Sequence, residues 1–131
     1  EVKRLERMVG LGLNFMVTYP TFNIEALNRF QSETKKLGVP VLVGVRMLQD
    51  VRDARRLNED PRVTVPPELI DSLEKAEKLR GEEKVNARLE ANISFFEGFI
   101  ESVKSKGFAG CSIYAPGIEQ AVSQLASRLQ T

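Results

Sequence analysis

Helix and strand patterns alternate along this chain with short links between them, which predicts an α/β fold of parallel βα units. Three observations carry that expectation. Short, continuously apolar runs such as "PVLVGV" (40–45) are what strands buried on both faces of a parallel sheet look like. Each run is followed by a stretch in which apolar residues recur at helical spacing. The links leave room only for parallel strands joined by right-handed crossovers. Such units build either a small doubly wound sheet or part of a (β/α)8 barrel, which three strands cannot close by themselves.

Taken in order, "EVKRLERMV" has Val2, Leu5 and Val9 on one side of a helix of about 1–10. Gly10 and Gly12 are suited to a positive-φ stop. The chain opens on Glu1 within a helical pattern, so it reads as starting inside an element: a fragment, a processed product or a subunit. Strand one, "FMVTY" (15–19), follows. Asn23 caps a helix of about 24–37 with Ile24, Leu27 and Phe30 inward and Gly38 as its stop. Strand two is 40–45. A short helix around 50–58 is broken by "EDPRVTVPP", and Pro67 sits near the start of a helix to about 79. A second amphipathic stretch, about 82–105, carries Val85, Leu89, Ile93, Phe96, Phe99 and Ile100. Strand three, "AGCSIYAP" (109–116), and a helix of 117–129 finish the chain, with no internal repeat and no low-complexity linker.

The 131 residues are 42% hydrophobic and 28% charged, which fits one ordinary soluble domain over 1–131. A net charge of +1 gives no footprint for nucleic acid or an anionic membrane. No apolar run is long enough to span a bilayer and no signal-peptide pattern opens the chain, so it reads as cytosolic. Cys111 is the lone cysteine, which rules out a disulfide framework, and with His 0 a histidine-based triad or metal cage is impossible within this sequence.

In both candidate architectures ligands bind at the carboxyl ends of the strands. Those ends are Thr18-Tyr19-Pro20, Arg46-Met47-Leu48 and Tyr114-Ala115-Pro116-Gly117. Tyr19 and Tyr114 can each stack on or hydrogen-bond a flat ligand, or simply pack at a strand rim. Arg46 can hold a carboxylate or phosphate, or pair with Asp50 or Asp53 in the next helix. Gly117 opens the last helix, whose free N–H groups suit an anion. "RDARR" (52–56) reads as a solvated helix face, and Asn92-Ile93-Ser94, a glycosylation pattern, is discounted because it falls in a helix. "GLG" (10–12) precedes a strand, so it is not a dinucleotide fingerprint. No paired carboxylates end a strand, which leaves a binding rim with no nominated general acid or base and the catalytic residues unknown.

Read collinearly, "MVGLGLNFMVTYPTFNIEALNRF", "GVPVLVGVRML", "VRDARRLNEDPRVTVPPELIDSLEKA" and "GFAGCSIYAPGIEQAVSQL" resemble the C-terminal portion of the methylenetetrahydrofolate reductase family. The order of the pieces and the "VPxELIxxLEKA" stretch carry the resemblance. It implies the last three strands of a TIM (β/α)8 barrel and a reductase of one-carbon metabolism and methionine biosynthesis. In that family a hydride passes from NAD(P)H through FAD to methylenetetrahydrofolate, with the flavin supplying the chemistry.

The resemblance also implies roles for residues. Tyr19 falls on the strand-end glutamine that contacts the folate pterin, with Thr18 and Tyr114 on the same substrate-facing rim. Leu57 falls near the phenylalanine that packs on the aminobenzoate. Met8 falls on a lysine of the helix that helps hold the flavin, and Arg4 and Arg7 lie on that helix. Three departures stand out. A phenol cannot donate and accept as the bidentate amide does, Leu57 offers no stacking face, and Met8 brings no charge. The family's acidic glutamate and most of its flavin contacts lie on strands outside this sequence. The resemblance therefore implies a folate-facing part of a reductase that needs the remainder of the barrel. Two alternatives stand beside it: a relative that binds another flat substrate without FAD, and a non-catalytic partner or assembly module that self-associates through its sheet edges.

Overall fold

The computed structural model describes residues 2–129. The elements are α1 (Val2–Gly10), β1 (Met16–Val17), α2 (Ile24–Thr34) with a 3₁₀ turn at Lys35–Leu37, β2 (Val41–Arg46), α3 (Val51–Leu57), α4 (Pro67–Glu77), α5 (Gly81–Ser105), β3 (Gly110–Tyr114) and α6 (Gln120–Leu129). The sheet is parallel throughout in the order β1-β2-β3, with Val17 beside Leu42 and Arg46 beside Tyr114. That order follows the chain without reversal, so these strands contain no switch point of the doubly wound kind.

Local signals place most of these elements. The Asn23 side chain accepts the N–H groups of Glu25 and Ala26, the capping bonds expected at a helix start. Asp50 does the same for α3 through the Asp53 N–H at 2.9 Å. Gly38 ends the second helix at φ 66, the left-handed geometry that only glycine adopts without cost.

Alternation along the strands gives the sheet two unlike faces. Val43 and Val45 are buried in the core with Cys111 and Ile113 packed beside them. The helices cover this face: α5 lies against α2, α4 and α6. Phe22, just before the α2 cap, stacks into a ring cluster with Phe95, Phe96 and Phe99 of α5, its centroid 5.8 Å from Phe96. Such ring pairs contribute about 0.5–1.5 kcal/mol each beyond burial, so this cluster seats the loop between β1 and α2. The register puts Val17, Leu42, Gly44, Arg46, Ser112 and Tyr114 on the opposite face, which no helix of the described residues covers.

Several expectations are corrected. The first strand is shorter than 15–19, because the chain lifts away from the ladder at Thr18 and crosses over Gly44. It is not buried on both faces either: Phe15 is 53% and Val17 48% exposed. The last helix begins at Gln120, since Gly117 takes φ 76 and its N–H is held by the Glu119 carboxylate at 3.1 Å. Gly117 therefore offers no helix N-terminus to an anion. Val85 points outward, one turn before the apolar face of α5 meets the core. Within "RDARR" Asp53 and Ala54 are buried and only the arginines face solvent. Among the described residues no helix is long and apolar enough to cross a membrane.

Candidate functional site

The carboxyl end of β1 is built around one close approach. Gly44 lies under the crossing chain, and a Cβ there would collide with the Thr18 carbonyl. The Thr18 hydroxyl accepts the Gly44 N–H at 2.9 Å, taking the place of the ladder bond the departing strand gives up. A hydroxyl at the strand end thus satisfies the sheet, and the chain that leaves it carries Tyr19 out over the rim.

Tyr19 is held at its tip and on one face. Its hydroxyl donates to Asp60 Oδ2 at 2.7 Å and accepts from Arg62 Nη2 at 3.0 Å. The Arg62 guanidinium carbon lies 4.0 Å from the ring centroid, a close cation–π approach. Asp60 in turn grips Arg62, accepting from its backbone N–H at 2.9 Å, from Nε at 3.0 Å and from Nη2 at 2.8 Å. The Arg62 hydrogen bonds hold the Asp60 carboxyl well below the usual carboxylate range. The hydrogen bond to Asp60 pushes the Tyr19 phenol above its ordinary value, because an ionised phenol could not donate it. Tyr19, at 47%, and Arg62 are exposed, while Asp60 is partly buried between them.

Beside this cluster runs a cavity of about 550 Å³ along the free edge of β1. Phe15, Leu27 and Phe30 give it apolar walls, and Arg4 and Met8 of α1 close one side while Tyr19 and Arg62 close another. The structure thus brings Arg4, Met8, Thr18 and Tyr19 to one cavity. It does not bring the other sequence candidates there. Arg7 is exposed on α1, and Leu57, at the end of α3, is half-buried against the core. Tyr114 stands on the open sheet face at the end of β3, where the Arg46 guanidinium lies 5.6 Å from its ring centroid. Arg46 is held by Asp53, with Nη2 donating at 2.9 Å and Nη1 at 3.3 Å, so the pairing option for this arginine is the one observed.

The loop after β2 is fixed from below by Asn92. Its side chain, 0% exposed, accepts the Leu48 N–H at 2.8 Å and donates to the carbonyls of Leu48 and Arg88, each at 2.8 Å. The asparagine of the discounted glycosylation pattern is a structural bridge.

Sequence reasoning missed Asp60, Arg62, Gly44 and Asn92. A glycine inside an apolar strand is a signal of close backbone approach, so Gly44 was findable. Asp60-Pro61 marks a turn, yet nothing in the sequence links that turn to Tyr19.

Among the described residues no cluster of three or more acidic, histidine or cysteine side chains could hold a metal ion. Burial pushes the half-buried Cys111 thiol up, which keeps it protonated and a poor nucleophile. The residues around this cavity offer stacking, shape and guanidinium groups.

A family model described as methylenetetrahydrofolate reductase matches residues 1–130, essentially the whole chain. No curated protein matches it.

Proposed function

Because the chain belongs to the methylenetetrahydrofolate reductase family, we propose that it supplies the folate-facing part of a reductase site in one-carbon metabolism. The observation that carries this reading is the family match over residues 1–130, joined to a parallel sheet that runs in chain order with one face uncovered. Consecutive parallel strands with helices on one side are the local arrangement of a (β/α)8 barrel. In this reading β1, β2 and β3 are the last three strands of such a barrel. Their open face, with Val17, Leu42, Ser112 and Tyr114, turns toward its interior.

The strand ends then form part of the substrate rim. Tyr19 presents a ring face to a folate-type ligand, Thr18 fixes the root of that ring, and Tyr114 lies across the sheet from it. Leu57 supports the loop behind α3. The cations on α1, Arg4 and Arg7, suit the phosphate groups of FAD by charge, while Met8 adds apolar contact only. When bound, the flavin would supply hydride transfer from NAD(P)H. The groups of this chain bind and orient: none of them is placed as the proton donor.

The free edge of β1 and the uncovered face support a further part of the reading, that other βα units complete the site. A second reading, a partner module that uses those same edges without catalysis, rests on the free edge and the uncovered face themselves; the departures at Tyr19 and Met8 favour instead a relative that binds another flat substrate without FAD. One experiment separates the reductase from the partner module. The native product of the gene is purified and assayed for flavin absorbance and for methylenetetrahydrofolate-dependent oxidation of NAD(P)H. Bound flavin with turnover supports the reductase reading; a native product with neither leaves the partner module.

A further inference from the structure

We propose that Asp60 and Arg62 are positioning residues that hold Tyr19 as a stacking surface, so that its site takes a flat, uncharged ring by the face and makes no use of the phenol hydroxyl. The inference rests on the reading of Tyr19 as a substrate-facing group.

Four observations converge on it. First, a phenol has one proton to donate, and Tyr19 gives it to Asp60 Oδ2 at 2.7 Å. Second, Arg62 Nη2 donates to the same oxygen at 3.0 Å, so the hydroxyl already has a partner in each role. Third, the Arg62 guanidinium lies over one ring face at 4.0 Å, while Tyr19 remains 47% exposed and lines the cavity beside β1. Fourth, Asp60 binds Arg62 through both carboxylate oxygens. The cation over the ring is therefore already neutralised, and the cluster presents no net charge to attract an anion.

The clamp is also preformed. Asp60 Oδ1 accepts the Arg62 backbone N–H across Pro61 at 2.9 Å, so the acid and the base sit on one short turn. At the other end, the Thr18 hydroxyl pins the root of Tyr19 to Gly44. A ring fixed at root, tip and one face loses little freedom when a ligand stacks on it, which favours binding.

The chain has 2 tyrosines and no tryptophan. In a Tyr114→Phe background, tyrosinate absorbance therefore reports Tyr19 alone during an alkaline titration. The expected result is ionisation above the ordinary phenol range, shifted down by Asp60→Asn and further up by Arg62→Gln. A general loosening would bring both variants toward the ordinary value, so the opposite shifts identify the clamp. A titration that neither substitution moves would overturn the proposal.

The second measurement is binding of unsubstituted pterin, read by its own fluorescence, to the otherwise unaltered chain. Tyr19→Phe, which keeps the ring and frees its tip, is expected to weaken binding by clearly less than Tyr19→Ala, which should lose roughly tenfold or more, the usual scale for a stacking aromatic. Equal losses in both would place the hydroxyl on the ligand and overturn the proposal. If the parent binds no pterin while the titration shifts as expected, the clamp stands and the folate reading fails.

Discussion

Thr18 and Gly44 hold each other in a two-sided contact: the Thr18 hydroxyl accepts the Gly44 N–H at 2.9 Å, and the Thr18 carbonyl occupies the space a Gly44 Cβ would need. The obstacle is backbone, not the flexible end of a side chain, so Gly44→Ala has to move the crossing chain. The expected cost is about 1–3 kcal/mol, as for other overpacked sites. It is read as a lower urea midpoint at unchanged slope. Thr18→Val keeps the shape and orphans the Gly44 N–H, for about 1–3 kcal/mol. A wild-type midpoint in Gly44→Ala would show that the crossing is not rigid.

Asn92 satisfies both backbone groups of Leu48 from inside the core. Asn92→Ala leaves that N–H and carbonyl without partners where solvent does not reach. Each orphaned group costs about 1–3 kcal/mol, so the variant is expected to lose at least about 2 kcal/mol in chemical denaturation. A loss well under 1 kcal/mol would mean that the loop after β2 finds other partners.

These two sites also mark where the sequence was legible. Periodicity and caps act between near neighbours, and so the Asn23 cap, the Gly38 stop, Pro67 and the apolar run of β2 were all readable. The shortening of β1 was not, because it depends on a hydroxyl reaching a strand 26 residues further along the chain. Arg46 offered two acids at similar spacing. The structure chose Asp53 because Asp50 is committed to capping α3. Tyr19 was recognised as a rim residue, while its partners Asp60 and Arg62, 41 and 43 residues away, were not. Side-chain pairs between distant loops leave no periodic trace, and candidate sites are made largely of such pairs.

Acid should weaken the fold only at low pH. Arg62 depresses the Asp60 carboxyl, Arg128 depresses Glu90, and the backbone N–H groups of Glu119 itself and Gly117 depress Glu119. Folded values lie below unfolded ones, so the unfolded chain binds more protons as pH falls. The stability these groups add is present above the ordinary carboxylate range, about 4, and is lost as pH falls through the folded values. Urea midpoints are expected to be flat from neutral pH to about 5 and to decline below about 4. Asp60→Asn should flatten part of that decline. A decline that begins near neutral pH would contradict this assignment.

At alkaline pH the sign reverses. The Tyr19 phenol is raised by its bond to Asp60, so the folded chain keeps a proton that the unfolded chain releases. Its contribution is complete below the ordinary phenol value, about 10, and is lost as pH rises through the folded value. Tyr19→Phe should therefore show a shallower alkaline limb in urea midpoints than the parent. Identical limbs would mean that the Asp60 bond does not persist in solution.

The edge and the open face of the sheet can be tested separately at one position. The N–H groups of Met16 and Thr18 bond back to Pro40 and Leu42, so alternation directs the Val17 N–H toward the free edge. Val17→Pro removes that outward donor without removing a ladder bond to β2. Val17→Lys leaves the donor in place and sets a charge on the uncovered face, where the Val17 side chain is 48% exposed. If other βα units complete this sheet, the isolated chain is expected to self-associate with rising concentration in sedimentation velocity. Loss of association in Val17→Pro alone would assign it to strand pairing at the edge, and loss in Val17→Lys alone to burial of the face. A chain that stays monomeric across the whole concentration range would remove the reason to expect completion, because edge and face would then be stable in water as they stand.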